Sequence, residues 1–485
     1  MGSILAVAPL LGLIAMMMSL SHLVPIAVSL ACGDGALSAF AFSTALNIAC
    51  GCSVWIATRR FRRELMARDA ILLVVLAWSG GALFATVPLL LAVPGLSFTD
   101  AYFETMSGIT TTGSTVLSNL DGLPHSINVW RALLQWIGGM GIIVLAIALL
   151  PMLGVGGRQI YKAETPGPMK DTKLTPRLAE TAKGLWLVYF GLSVACFTAY
   201  ALAGMPWVDA LVHAFSTMST GGFSNHDASL GHFNSPLIES IAVVFMLVAA
   251  INFGSHFMAL RARSLRPYRS DPEIGWFLVV TAASCLGVGG YLWLTGVYPE
   301  FPTALRHASF NLVSVATSTG YASQDFNLWP IFAPLWMMFL VSFASCSGST
   351  GGGIKMIRAI ILYKQVHREF IRLLHPAAAY PMKIAGQAVE NQIVFAVLAF
   401  LFIYVACIVT LTLLLTASGL DVLTAFSAVI ACINNLGPGL NQVGPATTFE
   451  ALNDFQIWLL SAAMLIGRLE LFTVLVIFTP AFWRK

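Results

Sequence analysis

Thr110-Thr111-Thr112-Gly113, Ser219-Thr220-Gly221-Gly222, Thr317-Ser318-Thr319-Gly320 and Asn434-Asn435-Leu436-Gly437 decide how this chain is read. Each short polar stretch ends an apolar segment, and each is followed by another apolar run. Backbone that is neither helix nor barrel at membrane depth must be buried in protein or line a watery path. Aligned on their glycines, the four stay in phase. The third residue before each glycine is Thr110, Ser219, Thr317 or Asn434, and the sixth is Ser107, Ser216, Ser314 or Ala431. Small polar residues also mediate close helix packing in membranes. That explains one stretch alone better than four in register. Four extended stretches used together can surround one ion with carbonyl oxygens.

Working outward, the rest of the chain supports a membrane setting. Of 485 residues, 58% are hydrophobic and only 10% charged, with a mean hydropathy of +0.81. Soluble domains carry about 25% charged residues. The composition therefore predicts an all-α polytopic membrane protein. Apolar windows long enough to cross a bilayer fall at 3–31, 36–58, 71–93, 126–152, 184–204, 235–260, 275–297, 332–362, 391–418 and 455–482. Gly2 to Leu30 lacks a basic leader and reads as a first membrane helix, not a cleaved signal. Four shorter apolar segments, Asp100–Thr110, Asp209–Met218, Thr303–Ala316 and Asp421–Ile433, precede the polar stretches and are too short to cross. They read as re-entrant helices, with Asp100, Asp209, Thr303 and Asp421 placed to satisfy free N–H groups at their starts. The expected organisation is two N-terminal transmembrane helices (1–69) and four pore repeats at 70–157, 158–265, 266–385 and 386–485.

Charge orients these spans. Of the 26 lysines and arginines, all but Arg131, Arg306 and Arg468 fall in five clusters, at 59–68, 158–183, 261–269, 355–383 and 484–485. The positive-inside rule makes those clusters cytoplasmic, and with them both termini. The opposite loops carry Asp34, Asp100, Glu104, Asp121, Asp209, Asp227, Glu300, Asp325, Asp421, Glu450 and Asp454, an acidic face that concentrates cations. The eight cysteines lie mostly inside apolar runs and read as small buried hydrophobes.

A dehydrated cation needs its water shell replaced by oxygens, and backbone carbonyls do so without trapping it by full charge. Glycine supplies the unusual φ that this requires. Carboxylates, which a hard divalent ion prefers, are absent from the four stretches, so a monovalent ion suits them better. With these glycines, Ile137-Gly138-Gly139-Met140-Gly141, Asn434-Asn435-Leu436-Gly437-Pro438-Gly439 and Gly467-Arg468-Leu469-Glu470, the chain resembles the Trk/Ktr/HKT superfamily of potassium transporters. The two extra N-terminal helices favour the Trk branch. The resemblance implies four fused helix–pore loop–helix, potassium-channel-like repeats and a selectivity filter. It implies K+ held on the carbonyls of Thr111, Thr112, Thr220, Gly221, Ser318, Thr319, Asn435 and Leu436, with Gly113, Gly222, Gly320 and Gly437 as filter glycines. Serine in place of the first of these goes with sodium preference in the HKT branch, so Gly113 argues for potassium.

Two features lie outside the four stretches. Ser345-Cys346-Ser347-Gly348-Ser349-Thr350-Gly351-Gly352-Gly353 interrupts the 332–362 span, since glycine costs about 1 kcal/mol against alanine in a helix. It is not a phosphate loop, because Ile354 precedes Lys355 and no Ser/Thr follows. A packed kink is one reading. The resemblance implies another, an intramembrane gate formed by Gly348, Ser349, Thr350, Gly351, Gly352 and Gly353. Arg468 lies deep in the last span, where centring an arginine costs about 2.5–3.5 kcal/mol. Snorkelling is one outcome, and a positive barrier in the ion path is the other. Glu470, two residues on, points elsewhere on a helix. Arg131 and Arg306 read as interfacial anchors.

No HExxH or GxSxG pattern supports an enzyme. Potassium uptake through a gated filter is the expected function, with a sodium- or proton-coupled symporter of the same fold as the alternative. Symport would favour ionisable groups at the midplane, which the spans mostly lack. The resemblance also implies a bacterial cytoplasmic (inner) membrane location, a homodimer and a cytosolic TrkA-type nucleotide-binding regulatory subunit docked on the basic loops at 156–183 and 363–389. Membrane lipids are an equally good partner for a basic face. No nucleic-acid partner is expected.

Overall fold

A computed structural model of the chain describes residues 2–61, 65–148, 178–377 and 380–484. Most of the 158–183 basic cluster and the end of the 126–152 span lie outside them. Six helices are long and apolar enough to cross a membrane, over Ser3–Cys32, Leu37–Phe61, Arg68–Ala92, Ala182–Leu202, Pro272–Leu294 and Asn391–Ala417. His125–Ala148 supplies a further long helix. The first two spans cross at Gly12 and Gly51, where a Cβ on either would lie 2.7 Å from the other's carbonyl oxygen. Glycine permits that approach. The pair packs against the outside of the first repeat.

The four short segments are helices: Phe98–Ile109, Trp207–Met218, Phe301–Ala316 and Val422–Ile433. The first three begin two residues earlier than Asp100, Asp209 and Thr303 suggested, and the fourth begins just after Asp421. Only Asp421 is itself the cap, accepting from Thr424 N at 3.0 Å. In the first, Ser97 is the cap and accepts from Asp100 N at 3.1 Å.

Each short helix packs against the long helices on either side of it in sequence and against the second helix of the preceding repeat. His125–Ala148 thus touches Trp207–Met218, Pro236–Ala249 touches Phe301–Ala316, and Phe332–Val341 touches Val422–Ile433. Asp454–Arg468 returns to Phe98–Ile109 and closes the circle. Four consecutive units of one chain therefore form a ring.

Two expected single spans are bent. The 235–260 span is Pro236–Ala249 and Phe253–Ala262, turned by 91°, and the 455–482 span turns by 117° between Asp454–Arg468 and Leu471–Phe478. Asn252 starts the second half of the first pair, its Oδ1 accepting from Gly254 N at 2.8 Å, a capping role that asparagine fills well. The expected interruption of 332–362 is wider than its glycines: one helix ends at Val341 and the next begins at Met356. That second helix runs to Leu374 on the basic face, where Arg358 and Arg368 are nonetheless buried.

Candidate functional site

The four short helices end alike. Thr112 N donates to Ser107 O, Gly221 N to Ser216 O, Thr319 N to Ser314 O and Leu436 N to Ala431 O, each at 2.8 Å. Within each turn, Thr111, Thr220, Ser318 and Asn435 donate to the carbonyls of Gly108, Thr217, Val315 and Cys432. This pair of bonds is the Schellman closure, which needs a left-handed residue just past the helix. Here it is not glycine: φ is +54° at Thr111, +51° at Thr220, +57° at Ser318 and +52° at Asn435. Threonine in that region is an outlier, and such strain costs about 1–3 kcal/mol per residue. The repeated serine and alanine at the sixth position mark the carbonyls that receive these bonds.

The glycines bring the four stretches together. Gly113, Gly222 and Gly320 have φ of +84°, +79° and +87°. A Cβ on Gly113 would overlap Gly221 O, and one on Gly222 would overlap Thr319 O. On Gly320 it would lie 2.9 Å from Gly437 N, and on Gly437 it would lie 2.9 Å from Gly113 O. The contacts run from the first stretch to the second, third, fourth and back. Gly437 differs, having no left-handed φ. Pro438 follows it, and a residue before proline is pushed toward extended backbone.

Side chains complete the joints. Ser114 Oγ donates to Gly437 O at 2.8 Å, and Asn435 Nδ2 donates to Thr112 Oγ1 at 3.0 Å. Gln135 grips the second stretch, donating to Gly221 O at 2.6 Å and accepting from Phe223 N at 3.1 Å. One of the eight expected coordinating carbonyls, Gly221 O, thus already receives a side-chain amide, leaving its second lone pair.

Arg131 is no interfacial anchor. It is 1% exposed, and its Nε donates to Glu104 Oε1 at 2.7 Å. Glu104 also accepts from Val116 N at 3.1 Å, and Arg131 Nη1 donates to Ser224 O at 3.1 Å. Glu104 therefore braces the chain beyond the first stretch instead of belonging to the acidic surface. Two lone opposite charges in neighbouring apolar segments were the available signal. Arg306 likewise pairs with Glu239 of the preceding repeat, at 2.7 Å.

On one side of the ring lies a cavity of about 340 Å³, lined by Gly113, Gly222, Gly320 and Gly437 and by the loops that follow them. At its edge, His226 Nδ1 lies 2.5 Å from Asp121 Oδ1 and its Nε2 lies 3.3 Å from Asp209 Oδ2. Burial alone would lower the His226 pKa, but hydrogen bonds donated to Asp209 and Asp121 outweigh it and raise the value above 6.5. For Asp121, burial works upward, and the bonds from His226 and Asp227 N carry its carboxyl below 3.8.

On the other side the broken segment of 342–355 lies directly against the ring. Thr220 Oγ1 donates to Thr350 Oγ1 at 3.2 Å, and Gly352 N donates to Ser318 Oγ at 2.8 Å. A Cβ on Gly352 would overlap Asn434 O. Gly348 O accepts from Phe253 N at 3.0 Å, and Ser349 Oγ donates to Cys346 O at 2.6 Å. Gly351 would meet Thr317 O at 3.1 Å if it carried a Cβ, and Gly353 takes a φ of +84°. The space left beside this segment is a cavity of about 40 Å³. Glu273 Oε2 ties the segment to the helix after it, accepting from Ser347 N at 2.9 Å and Ile357 N at 3.1 Å. Arg468 does not snorkel. It is buried, with Nη1 donating to Thr350 O at 2.8 Å and Nη2 to Gly138 O at 3.2 Å. Among the described residues no carboxylate pairs with it; Glu470 pairs with Arg358 at 2.7 Å.

A profile of the TrkH family, described as a cation transport protein, matches residues 36–485. The chain is 45% identical over 481 residues to the Trk system potassium uptake protein TrkH of Salmonella typhimurium, covering 99% of both chains. It is 47% identical over 478 residues to the protein of the same name from Halomonas elongata, covering 98% of both. The crystal structure of the potassium transporter TrkH from Vibrio parahaemolyticus superposes with a TM-score of 0.91 at 42% identity, over 100% of this chain and 99% of that one.

Proposed function

The chain belongs to the TrkH family of cation transport proteins, a family of transporters rather than enzymes, and from that premise we propose that it takes up potassium through the ring of four glycine stretches. The observation that carries this reading is the closed circuit of glycine contacts from Gly113 through Gly222 and Gly320 to Gly437. Backbone packed so closely around one axis can offer converging carbonyls and little else. Thr111, Thr112, Thr220, Gly221, Ser318, Thr319, Asn435 and Leu436 are the proposed K+ contacts, with one repeat in each of 70–157, 158–265, 266–385 and 386–485.

The segment Gly348–Gly353 is the proposed gate, and Arg468 its latch and electrostatic barrier. Support comes from Thr350, which joins the segment to both the ring and the guanidinium. An unneutralised buried arginine under a cation site repels the ion it faces. The acidic loops are the proposed outer face and the basic clusters the cytoplasmic one, in a bacterial inner membrane. The named relatives belong to a Trk system. A TrkA-type regulatory subunit on a homodimer fits the basic face, where Arg261, Arg263, Arg266 and Arg269 are exposed.

The deciding experiment is cation flux in proteoliposomes with Gly113→Ser. Its Cβ would collide with Gly221 O at a φ of +84°, so the K+/Na+ preference should fall. Unchanged preference at normal flux refutes the carbonyl-ring assignment.

A further inference from the structure

We propose that Asp121, His226 and His232 form a site for an imidazole-seeking divalent cation, with Zn2+ as the probe, at the rim of the outer vestibule, and that its occupancy slows potassium uptake. One ligand atom from each lies within 4.8 Å of the other two. Two imidazoles and a carboxylate are a donor set that zinc accepts, whereas Mg2+ and Ca2+ seek six or more oxygens.

The ligands come from the outer loops of two repeats. Asp121 lies in the turn Leu120–Gly122, and His232 in the turn Ser229–Phe233. These loops are already pinned together, since Leu120 N donates to Asp227 Oδ1 at 3.1 Å and Asp227 N to Asp121 Oδ2 at 3.2 Å. His226 is oriented from behind: Asp209 Oδ2 faces its Nε2 at 3.3 Å, and Asn225 Nδ2 donates to Asp209 Oδ1 at 2.7 Å. The Asp209 carboxylate keeps a proton on Nε2, so that when a metal displaces the proton Nδ1 shares with Asp121, the Nδ1 lone pair is free for the ion. Metal-binding histidines are held in this way.

Nδ1 of His226 and Oδ1 of Asp121 are 2.5 Å apart, and two ligands on one tetrahedral zinc stand about 3.4 Å apart. Binding therefore needs a small parting of two side chains, and Asp121 is exposed and able to move. The His232 ring lies face to face with His226, centroids 3.6 Å apart and planes within 5°. The exposed His232 ring must rotate out of this stack to turn a nitrogen toward the same ion, and its ligand nitrogen already lies within 4.8 Å of the ligand atoms of Asp121 and His226. A plain hydrogen-bonded clasp needs only Asp121, Asp209 and His226; it gives no role to a second imidazole at that distance.

His226 also lines the vestibule above the glycine ring, so a bound dication adds positive charge to the wall that cations pass. The inhibitory half of the proposal rests on the potassium-uptake reading. The binding half does not.

The test uses the full chain in lipid nanodiscs, titrated calorimetrically with ZnCl2 and with MgCl2. One zinc site per chain, not filled by Mg2+, is expected. Affinity should fall by more than about tenfold in His232→Gln and by about ten- to a hundredfold in Asp209→Asn. In proteoliposomes, external Zn2+ should slow Rb+ inflow, and the slowing should vanish in His232→Gln. Zinc affinity unchanged in both His226→Gln and His232→Gln overturns the site. Tight binding without slowing overturns the inhibitory role. Absence of any flux before zinc is added counts against the uptake reading instead.

Discussion

Replacing Glu104 with glutamine should damage the ring from behind without touching it. The Glu104 and Arg131 side chains are 0% and 1% exposed and 2.7 Å apart. Glu104 also receives Val116 N, and Arg131 reaches Ser224 O and lies 4.3 Å over the Phe223 ring. The pair therefore ties the chain leaving the first stretch to the chain leaving the second. Removing one charge strands the other in a dry site, which costs about 3–5 kcal/mol. Glutamine keeps the shape and some hydrogen bonds, so the low end applies. Arg131→Met should cost as much, while the double variant recovers part of the loss because no charge is left unpaired. A coupling of about 0.5–3 kcal/mol is expected, measured by unfolding in mixed micelles. Rb+ flux with Na+ competition should show weakened selectivity in each single variant. Additive losses, each below about 0.5 kcal/mol as for ordinary surface changes, would refute the bracing argument.

Gly222→Ala should abolish most cation flux, since φ is +79° and the new methyl would overlap Thr319 O, whereas Gly437→Ala should be milder because its φ is ordinary and its nearest contact is 2.9 Å; equal flux in the two would refute the asymmetry. Arg468→Met removes two charge-assisted bonds, to Thr350 O and Gly138 O, each worth about 1.5–3 kcal/mol. At 1.4 kcal/mol per factor of ten, basal flux should rise by roughly tenfold or more, and an unchanged or lower flux counts against the latch. Gln135→Leu frees Gly221 O and strands Phe223 N, so Na+ should compete better for Rb+ flux; an unaltered competition curve would show that the grip is dispensable. Neutralising Arg261 and Arg263 should weaken binding of a TrkA-type ring to purified protein, and undiminished binding would assign that face to lipid.

The ring was legible because its parts repeat: a helix, a left-handed hydroxyl or amide residue, and a glycine give the same signal in four places. Hydropathy located the long spans for the same reason, as a bulk property averaged over about twenty residues. What escaped depends on single contacts. Asn252 begins a new helix inside an apolar run, and no window average registers one capping residue. The turn at Glu470 is similar: its φ of +60° and its bond to Arg358 redirect the last span. Arg131 read as an anchor because its position near a helix end fits one. Its partner is 27 residues away in sequence, and nothing local announces a pairing across two segments. Gln135 and Glu273 were invisible for the same reason, since each serves backbone groups on other elements.

The residues that close the ring are also the ones that the broken segment holds. Thr220 and Ser318, both in the left-handed region, bond through their hydroxyls to Thr350 and Gly352. Among the described residues the Thr111 hydroxyl has no partner, and Asn435 turns instead toward Thr112 and Met464 O. Two of the four strained turns are thus supported from below and two are not. If the segment withdraws, the second and third turns lose a bond that helps to offset strain of about 1–3 kcal/mol each, while the fourth loses only the close packing of Gly352 on Asn434 O. Four separate subunits could not divide the work this way, because identical chains must bond alike. One chain with four unequal repeats can place selection on all sides of the ring and tie its release to two of them.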